Sequence, residues 1–253
     1  MIKKYNAMVS SDWNGCLAPC GPFDFISFAY PRFKSDLRTI FRQYTGNIIS
    51  LGEAAGQIQE LLPEPINPDQ MDAYLDESFT TYMGVPELIE WCSSHNILFM
   101  LNTTGVIGYF QRVFAKELLP PVTVVSAHPL IRYPQNTVDS FRVYKLLETW
   151  DKSENTGEVA RSQGIPAGKI ILLGDSGGDG PHFEWGAAAG CCLIGCMTKP
   201  SLEKYCRAKS IEINLRFGLD YTRREKVSLR EELQINFMDL TDTIDEIVQS
   251  QAS

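Results

Sequence analysis

Four short runs of the chain are apolar almost without interruption and end in small or acidic residues: "YNAMVSSD" (5–12), "ILFMLNTTG" (97–105), "VTVVSAH" (122–128) and "KIILLGDSGGD" (169–179). A fifth, "CCLIGC" (191–196), follows a stretch of small residues, "WGAAAG". A strand with one wet face alternates apolar and polar residues. Runs without that alternation belong to strands covered on both faces of a parallel sheet. Parallel neighbours need crossover connections, and segments of helical length lie between the runs: "GVPELIEWCSSHN" (84–96), "VIGYFQRVFAKELL" (106–119) and "SENTGEVARSQG" (153–164). Pro86 suits a first helical turn and Gly164 a helix exit. The alternation predicts an α/β, doubly wound parallel sheet of Rossmann-like form.

One region breaks it. Residues 18–82 hold no buried-strand run, only helical stretches such as "FKSDLRTIFRQYTG", "SLGEAAGQIQELL" and "NPDQMDAYLDESFTTYM". Phe33, Leu37, Ile40, Phe41 and Tyr44 recur at helical spacing and predict one apolar face. Ser50 and Glu53 form a capping-box pattern. The expected organisation is a core of residues 1–17 and 83–253 with a small helical cap, 18–82, over the carboxyl ends of the strands. Leu233, Phe237, Leu240, Ile244 and Ile247 predict a terminal helix.

A length of 253 residues suits such a core plus insert. The net charge of -8 and the lack of a basic run argue against a nucleic-acid surface. The apolar runs are shorter than the roughly 20 residues of a membrane helix, and the N-terminus lacks the apolar stretch of a signal peptide. Seven cysteines, an odd number, disfavour a disulfide scaffold. Cys191, Cys192 and Cys196 read as small core residues rather than metal ligands. A cytoplasmic protein is expected, its oligomeric state open.

In an open parallel sheet, ligands bind where the carboxyl-end loops converge. Here those loops carry Asp12, Thr103 and Thr104, and the pair Asp175 and Asp179; Lys152 lies 22 residues before Gly174. Each has an ordinary alternative: a turn cap for the aspartates, a helix cap for one of the threonines, and Lys145 as a competitor for Lys152. Together they make a phosphoryl-transfer inventory. Asp12 would attack phosphorus and form an acyl phosphate. Asp12 and Asp175 would hold Mg²⁺, a hard ion that takes oxygen ligands, with Asp179 shaping the site. Thr103, with Thr104 beside it, would hydrogen-bond the phosphate, Lys152 would neutralise charge, and Gly15 would let backbone N–H groups turn toward the anion. The partner would be a small phosphorylated substrate. His182, just after the acidic loop, could face the substrate but reads more readily as a structural or solvated histidine, and Phe23, Phe25, Phe28 and Tyr30 read as core packing or hinge contacts at least as readily as pocket walls.

In its four ordered elements, "DWNGC", "NTTG", Lys152 and "GDSGGD", the chain resembles the haloacid dehalogenase superfamily of Mg²⁺-dependent hydrolases. The helical insert is similar to that family's C1 cap, as in phosphoserine phosphatase and the methionine-salvage phosphatases. The resemblance implies that position 14 gives the metal its backbone carbonyl and carries an aspartate as general acid–base. Asn14 keeps the carbonyl but has no titrating proton, a loss that commonly costs about 10²–10⁴ in rate. Three readings follow: a phosphatase that is slow or acts on a good leaving group, a phosphate-binding protein with little turnover, or a phosphonoacetaldehyde hydrolase. The last subgroup carries D-W-A-G-T here and needs a Schiff-base lysine in the cap, for which Lys34 is the candidate.

Overall fold

The computed structural model describes residues 4–45, 48–134, 141–223 and 228–249. Seven strands form one sheet: β1 (Ala7–Ser11), β2 (Ile97–Val106), β3 (Val124–His128), β4 (Arg142–Lys145), β5 (Ile170–Gly174), β6 (Cys192–Cys196) and β7 (Leu215–Phe217). Their order is β4-β3-β2-β1-β5-β6-β7, with every pairing parallel. The order reverses at β1, so the crevice that a doubly wound sheet offers to ligands opens beyond Ser11.

Side chains alternate faces along a strand, and both faces are covered. Ala7, Val9, Phe99, Leu101, Ile171 and Leu173 join one core; Met8, Leu98, Met100, Ile170 and Leu172 join the other. This is why the central runs lack polar alternation. Four helices lie between β1 and β2 before the crossover helix: α1 (Asp24–Ala29), α2 (Lys34–Thr45), α3 (Leu51–Leu61) and α4 (Pro68–Ser78), followed by α5 (Val85–Ser94). Ser50 and Glu53 close a reciprocal capping box on α3, and Leu37, Ile40 and Tyr44 are the buried face of α2. The two ends of the insert meet, the Tyr82 N–H donating to the Leu17 carbonyl at 3.0 Å.

The remaining helices are α6 (Ile107–Ala115), α7 (Asp151–Gln163), α8 (Gly180–Ala189), α9 (Pro200–Ala208), α10 (Leu229–Glu232) and α11 (Thr241–Gln249). Arg112 of α6 grips Asp72 of α4 through Nε and Nη2 at 2.7 and 2.6 Å, fastening insert to core. Glu148 accepts the free N–H groups of Leu51 and Gly52 at the start of α3. The expected single terminal helix is broken. Asn236, outside helical geometry, caps a short 3-10 turn, Phe237–Leu240, that runs into α11 and presents Phe237 and Leu240 to the core. None of the helices among the described residues is long and apolar enough to cross a membrane. Cys191 and Cys196 are buried and Cys192 is half-buried.

Behind the strand ends, a polar network ties β1 and β2 to α7 and α8. Thr156 Oγ1 meets Ser10 Oγ at 2.9 Å and His182 Nε2 at 3.0 Å, and accepts from Asn102 Nδ2 at 2.9 Å. His182 is structural, buried away from the cleft, and burial pushes its imidazole down to about 3. Above pH 6.5 it is neutral folded or unfolded. As the pH falls below that, only the unfolded chain gains the proton, so stability drops by about 1.4 kcal/mol per pH unit. Urea denaturation across pH 4–6.5 should therefore show a slope in His182→Gln shallower than wild type by about one proton.

Candidate active site

The Asp12 N–H still donates to the Leu173 carbonyl at 3.0 Å, continuing the β1 ladder. Its side chain thus emerges beside the loop that follows β5. Trp13, buried against Phe79, Tyr109 and Phe110, anchors the next turn. Gly15 has a φ of +77°, and a Cβ there would lie 2.5 Å from both Asp175 Oδ2 and Lys199 Nζ. Only glycine fits.

Asp12, Asp175 and Asp179 are buried, and each offers an oxygen within 4.8 Å of the others. Lys152, in the first turn of α7 and 1% exposed, bridges two of them. Its Nζ donates to Asp12 Oδ1 at 3.0 Å and to Asp179 Oδ1 at 2.6 Å. Asp179 Oδ2 accepts the backbone N–H groups of Asp175 and Ser176 at 2.9 and 3.2 Å. Lys199, just beyond β6, pairs with Asp175 Oδ2, while Asp175 Oδ1 is buried without a hydrogen-bond donor.

Burial pushes Asp12 up to about 7, against the pull of Lys152, while Asp179 and Asp175 repel its charge. Burial likewise raises Asp175, only partly offset by Lys199. At Asp179 burial acts upward too, but the Lys152 ammonium and the two N–H donors outweigh it and hold the group low. Lys152 is itself raised: burial would lower it, and its two carboxylates more than compensate.

Three carboxylates against two ammonium groups leave one formal negative charge. A buried cluster with an undonated carboxylate oxygen and only oxygen ligands fits a hard divalent cation. Asp12 and Asp175 would hold it, with Asp179 beside them.

A cavity of about 390 Å³ opens onto Asp12, Asn14, Lys152, Asp179 and Lys199, within the range of small-molecule sites. From the insert, Pro22, Phe41, Tyr44 and Thr45 line it. Burial pushes the Tyr44 phenol up to about 12, so it stays protonated beside Thr104.

The remaining candidate residues are placed as follows. Thr103 is fully buried and does not line the cavity. Its hydroxyl donates to Asn14 Oδ1 at 3.2 Å and accepts from the Gly105 N–H at 3.1 Å. Thr104 is the threonine at the cavity wall. The Gly15 N–H closes a tight turn on the Ala18 carbonyl at 2.7 Å. Lys145 is exposed at the end of β4. Lys34 is exposed and lines a neighbouring cleft with Arg38. Phe23 and Phe25 are buried, whereas Phe28 and Tyr30 are half-buried against the core. Sequence reasoning missed Lys199 and Tyr44 as cavity residues. Tyr44 was legible only as part of an apolar face, and Lys199 only as a cation just after a strand.

No protein-family model and no curated protein matches the chain by sequence. Solved structures do match its fold. A phosphoserine phosphatase, as an analogue of its phospho-aspartyl intermediate, has 17% identity and a TM-score of 0.63, with 91% of this chain and 99% of that chain covered. A hydrolase of the haloacid dehalogenase family from Salmonella enterica serovar Typhi has 12% identity and a TM-score of 0.63, covering 99% of this chain and 73% of that one. Cytosolic 5'-nucleotidase IIIB, bound to cytidine, has 13% identity and a TM-score of 0.59, covering 97% and 86%. At such identities the likeness is one of fold: the chain has the Rossmann-like α/β architecture of haloacid dehalogenase-type proteins.

Proposed function

We propose that the chain is a Mg²⁺-dependent phosphoric monoester hydrolase of the haloacid dehalogenase type, acting on a small phosphorylated molecule through an aspartyl-phosphate on Asp12. The observation that carries this reading is the buried Lys152 clamp between Asp12 and Asp179, beside Asp175, at the mouth of the cavity. When bound, Mg²⁺ supplies positive charge that draws the phosphoryl group in and offsets its repulsion from the Asp12 carboxylate. The proposed holders are Asp12, Asp175 and the Asn14 carbonyl, with Asp179 shaping the site.

The protein's own groups do the positioning. The Lys152 bridge holds the Asp12 carboxylate in place and lowers its charge repulsion toward a phosphate dianion. Thr104 offers a hydroxyl at the wall, and residues 18–82 act as a cap that limits water. The Asn14 amide donates to the Cys20 carbonyl at 3.3 Å and to its sulfur at 3.4 Å, and accepts from Thr103. It orients the loop but activates no water, so hydrolysis of the acyl phosphate is the slow step. A Schiff-base reaction draws no support from the arrangement, since Lys34 lies outside this cavity. A phosphate-binding protein with no turnover is the remaining rival, motivated by Asn14 alone.

Turnover of a phosphate-ester panel with Mg²⁺ tests the reading. Asp12→Ala should abolish turnover and the acid-trapped phosphoenzyme, and Asn14→Asp should raise kcat by about 10²–10⁴. An Asp12→Ala variant as active as wild type removes Asp12 as nucleophile. No turnover in either wild type or Asn14→Asp leaves the binding-protein reading.

Lys199 gives an independent check on the cation site. It already neutralises Asp175, so Lys199→Met should bind Mg²⁺ about tenfold more tightly by calorimetry, roughly the effect of 1.4 kcal/mol. Without Mg²⁺ the variant should melt below wild type, because Asp175 is left buried and unpaired.

A further inference from the structure

A leaving oxygen in this cavity finds no carboxylic acid to protonate it. Asn14 faces the cavity, but its amide has no titrating proton, and both ends are occupied by Thr103 and Cys20. Asp179 is committed as an acceptor: Lys152 occupies Oδ1, and two backbone N–H groups occupy Oδ2. Asp12 is the group that bonds phosphorus. None of the three histidines lines the cavity: His182 is held by Thr156, His128 accepts from the Leu130 N–H, and His95 stacks on Trp91. The O–H and N–H groups left at the wall are far weaker acids than a carboxylic acid: burial pushes the Tyr44 phenol up to about 12, and Lys199 is held by Asp175. A leaving oxygen that needs a full proton is poorly served here.

The insert-side wall narrows the choice further. Pro22, Phe41, Tyr44 and Thr45 carry no formal charge at neutral pH, and two of the four are aromatic. Of the insert's four cations, Arg32, Lys34, Arg38 and Arg42, none lines this cavity; Lys34 and Arg38 line the adjoining cleft of about 220 Å³, which shares only Pro22 and Phe41 with it. A charged aminoalkyl or carboxylate leaving group laid against this wall would lose hydration and meet no opposite charge on it, the cavity's ammonium groups being already paired with Asp12, Asp175 and Asp179. A flat, uncharged ring would stack there.

Resting on the hydrolase reading above, we infer that the preferred substrates are phosphate monoesters of uncharged phenols. In the first step an Asp12 carboxylate oxygen bonds to phosphorus as the bond from phosphorus to the phenolic oxygen breaks, and the electron pair leaves with the phenolate. A phenol ionises near pH 10, against about 15.7 for water, so phenolate departs without a proton from the protein where an alkoxide does not. Water then attacks phosphorus and the bond to Asp12 breaks. The carboxylate is restored, inorganic phosphate is released, and the water's proton passes to the phosphate and solvent.

The test compares kcat/KM, which reports the steps through departure of the leaving group, so that the later hydrolysis does not enter. The substrates are p-nitrophenyl phosphate, phenyl phosphate, glycerol phosphate and phosphoserine, each with wild type and Asn14→Asp at saturating Mg²⁺. Wild type should favour the aryl esters by about 10²-fold or more, and Asn14→Asp should raise the alkyl esters selectively and close most of that gap. Equal kcat/KM for aryl and alkyl esters in wild type overturns the inference while leaving the hydrolase reading intact. So does an Asn14→Asp gain of the same size on both classes. No turnover of any ester by either protein overturns the hydrolase reading itself.

Discussion

The Lys152 ammonium holds the site together. It is buried, and it joins a carboxylate that follows β1 to one that follows β5, two strands adjacent in space but about 160 residues apart in the chain. Removing one partner from such a buried cluster typically costs about 3–5 kcal/mol, because the others are left charged and unsolvated. The clamp thus fixes the distance between two strand ends and sets which carboxylates stay ionised. Asp179, with three donors on it, is the permanent anion. Asp12 and Asp175 are the two that burial raises.

The fold delivers that lysine with little freedom. Asn102 Nδ2 donates to the Lys152 backbone carbonyl at 2.9 Å, and the Thr156 hydroxyl one turn later joins Ser10, Asn102 and His182. The first turn of α7 is therefore bolted to β1 and β2 by polar contacts as well as by packing. Polar residues inside the otherwise apolar strand ends, Ser10 and Asn102, are explained by this junction. A buried network of this kind, in which only the Asn102 Oδ1 lacks a donor, favours one arrangement over its near neighbours.

Much of this was legible in the sequence because the central strands are buried on both sides. Continuous apolar runs marked β1, β2, β3, β5 and β6, and the acidic residues at their ends marked the site. The edge strands β4 and β7 were not legible: "RVYK" and "LRF" are short, partly exposed and interrupted by charge, so they carry no buried-strand pattern. The roles of Thr103 and Thr104 depend on which face of β2 each occupies at a register shift between Asn102 and Val106, which no local pattern encodes. Lys199 escaped notice because its partner, Asp175, is distant in sequence. The terminal helix was read as continuous because its apolar spacing survives the break at Asn236.

The meeting of Leu17 and Tyr82 has a consequence for how such a molecule diversifies. Because the chain departs from the sheet and rejoins it at neighbouring points, residues between them can be lengthened, shortened or replaced without shifting the register of any strand. The chief restraints on such exchange are the contacts that receive the insert, notably Arg112 on Asp72 and Glu148 at the start of α3. The helices between those two points and the strand ends that carry the buried carboxylates thereby lie on separate stretches of the polypeptide, each with its own packing.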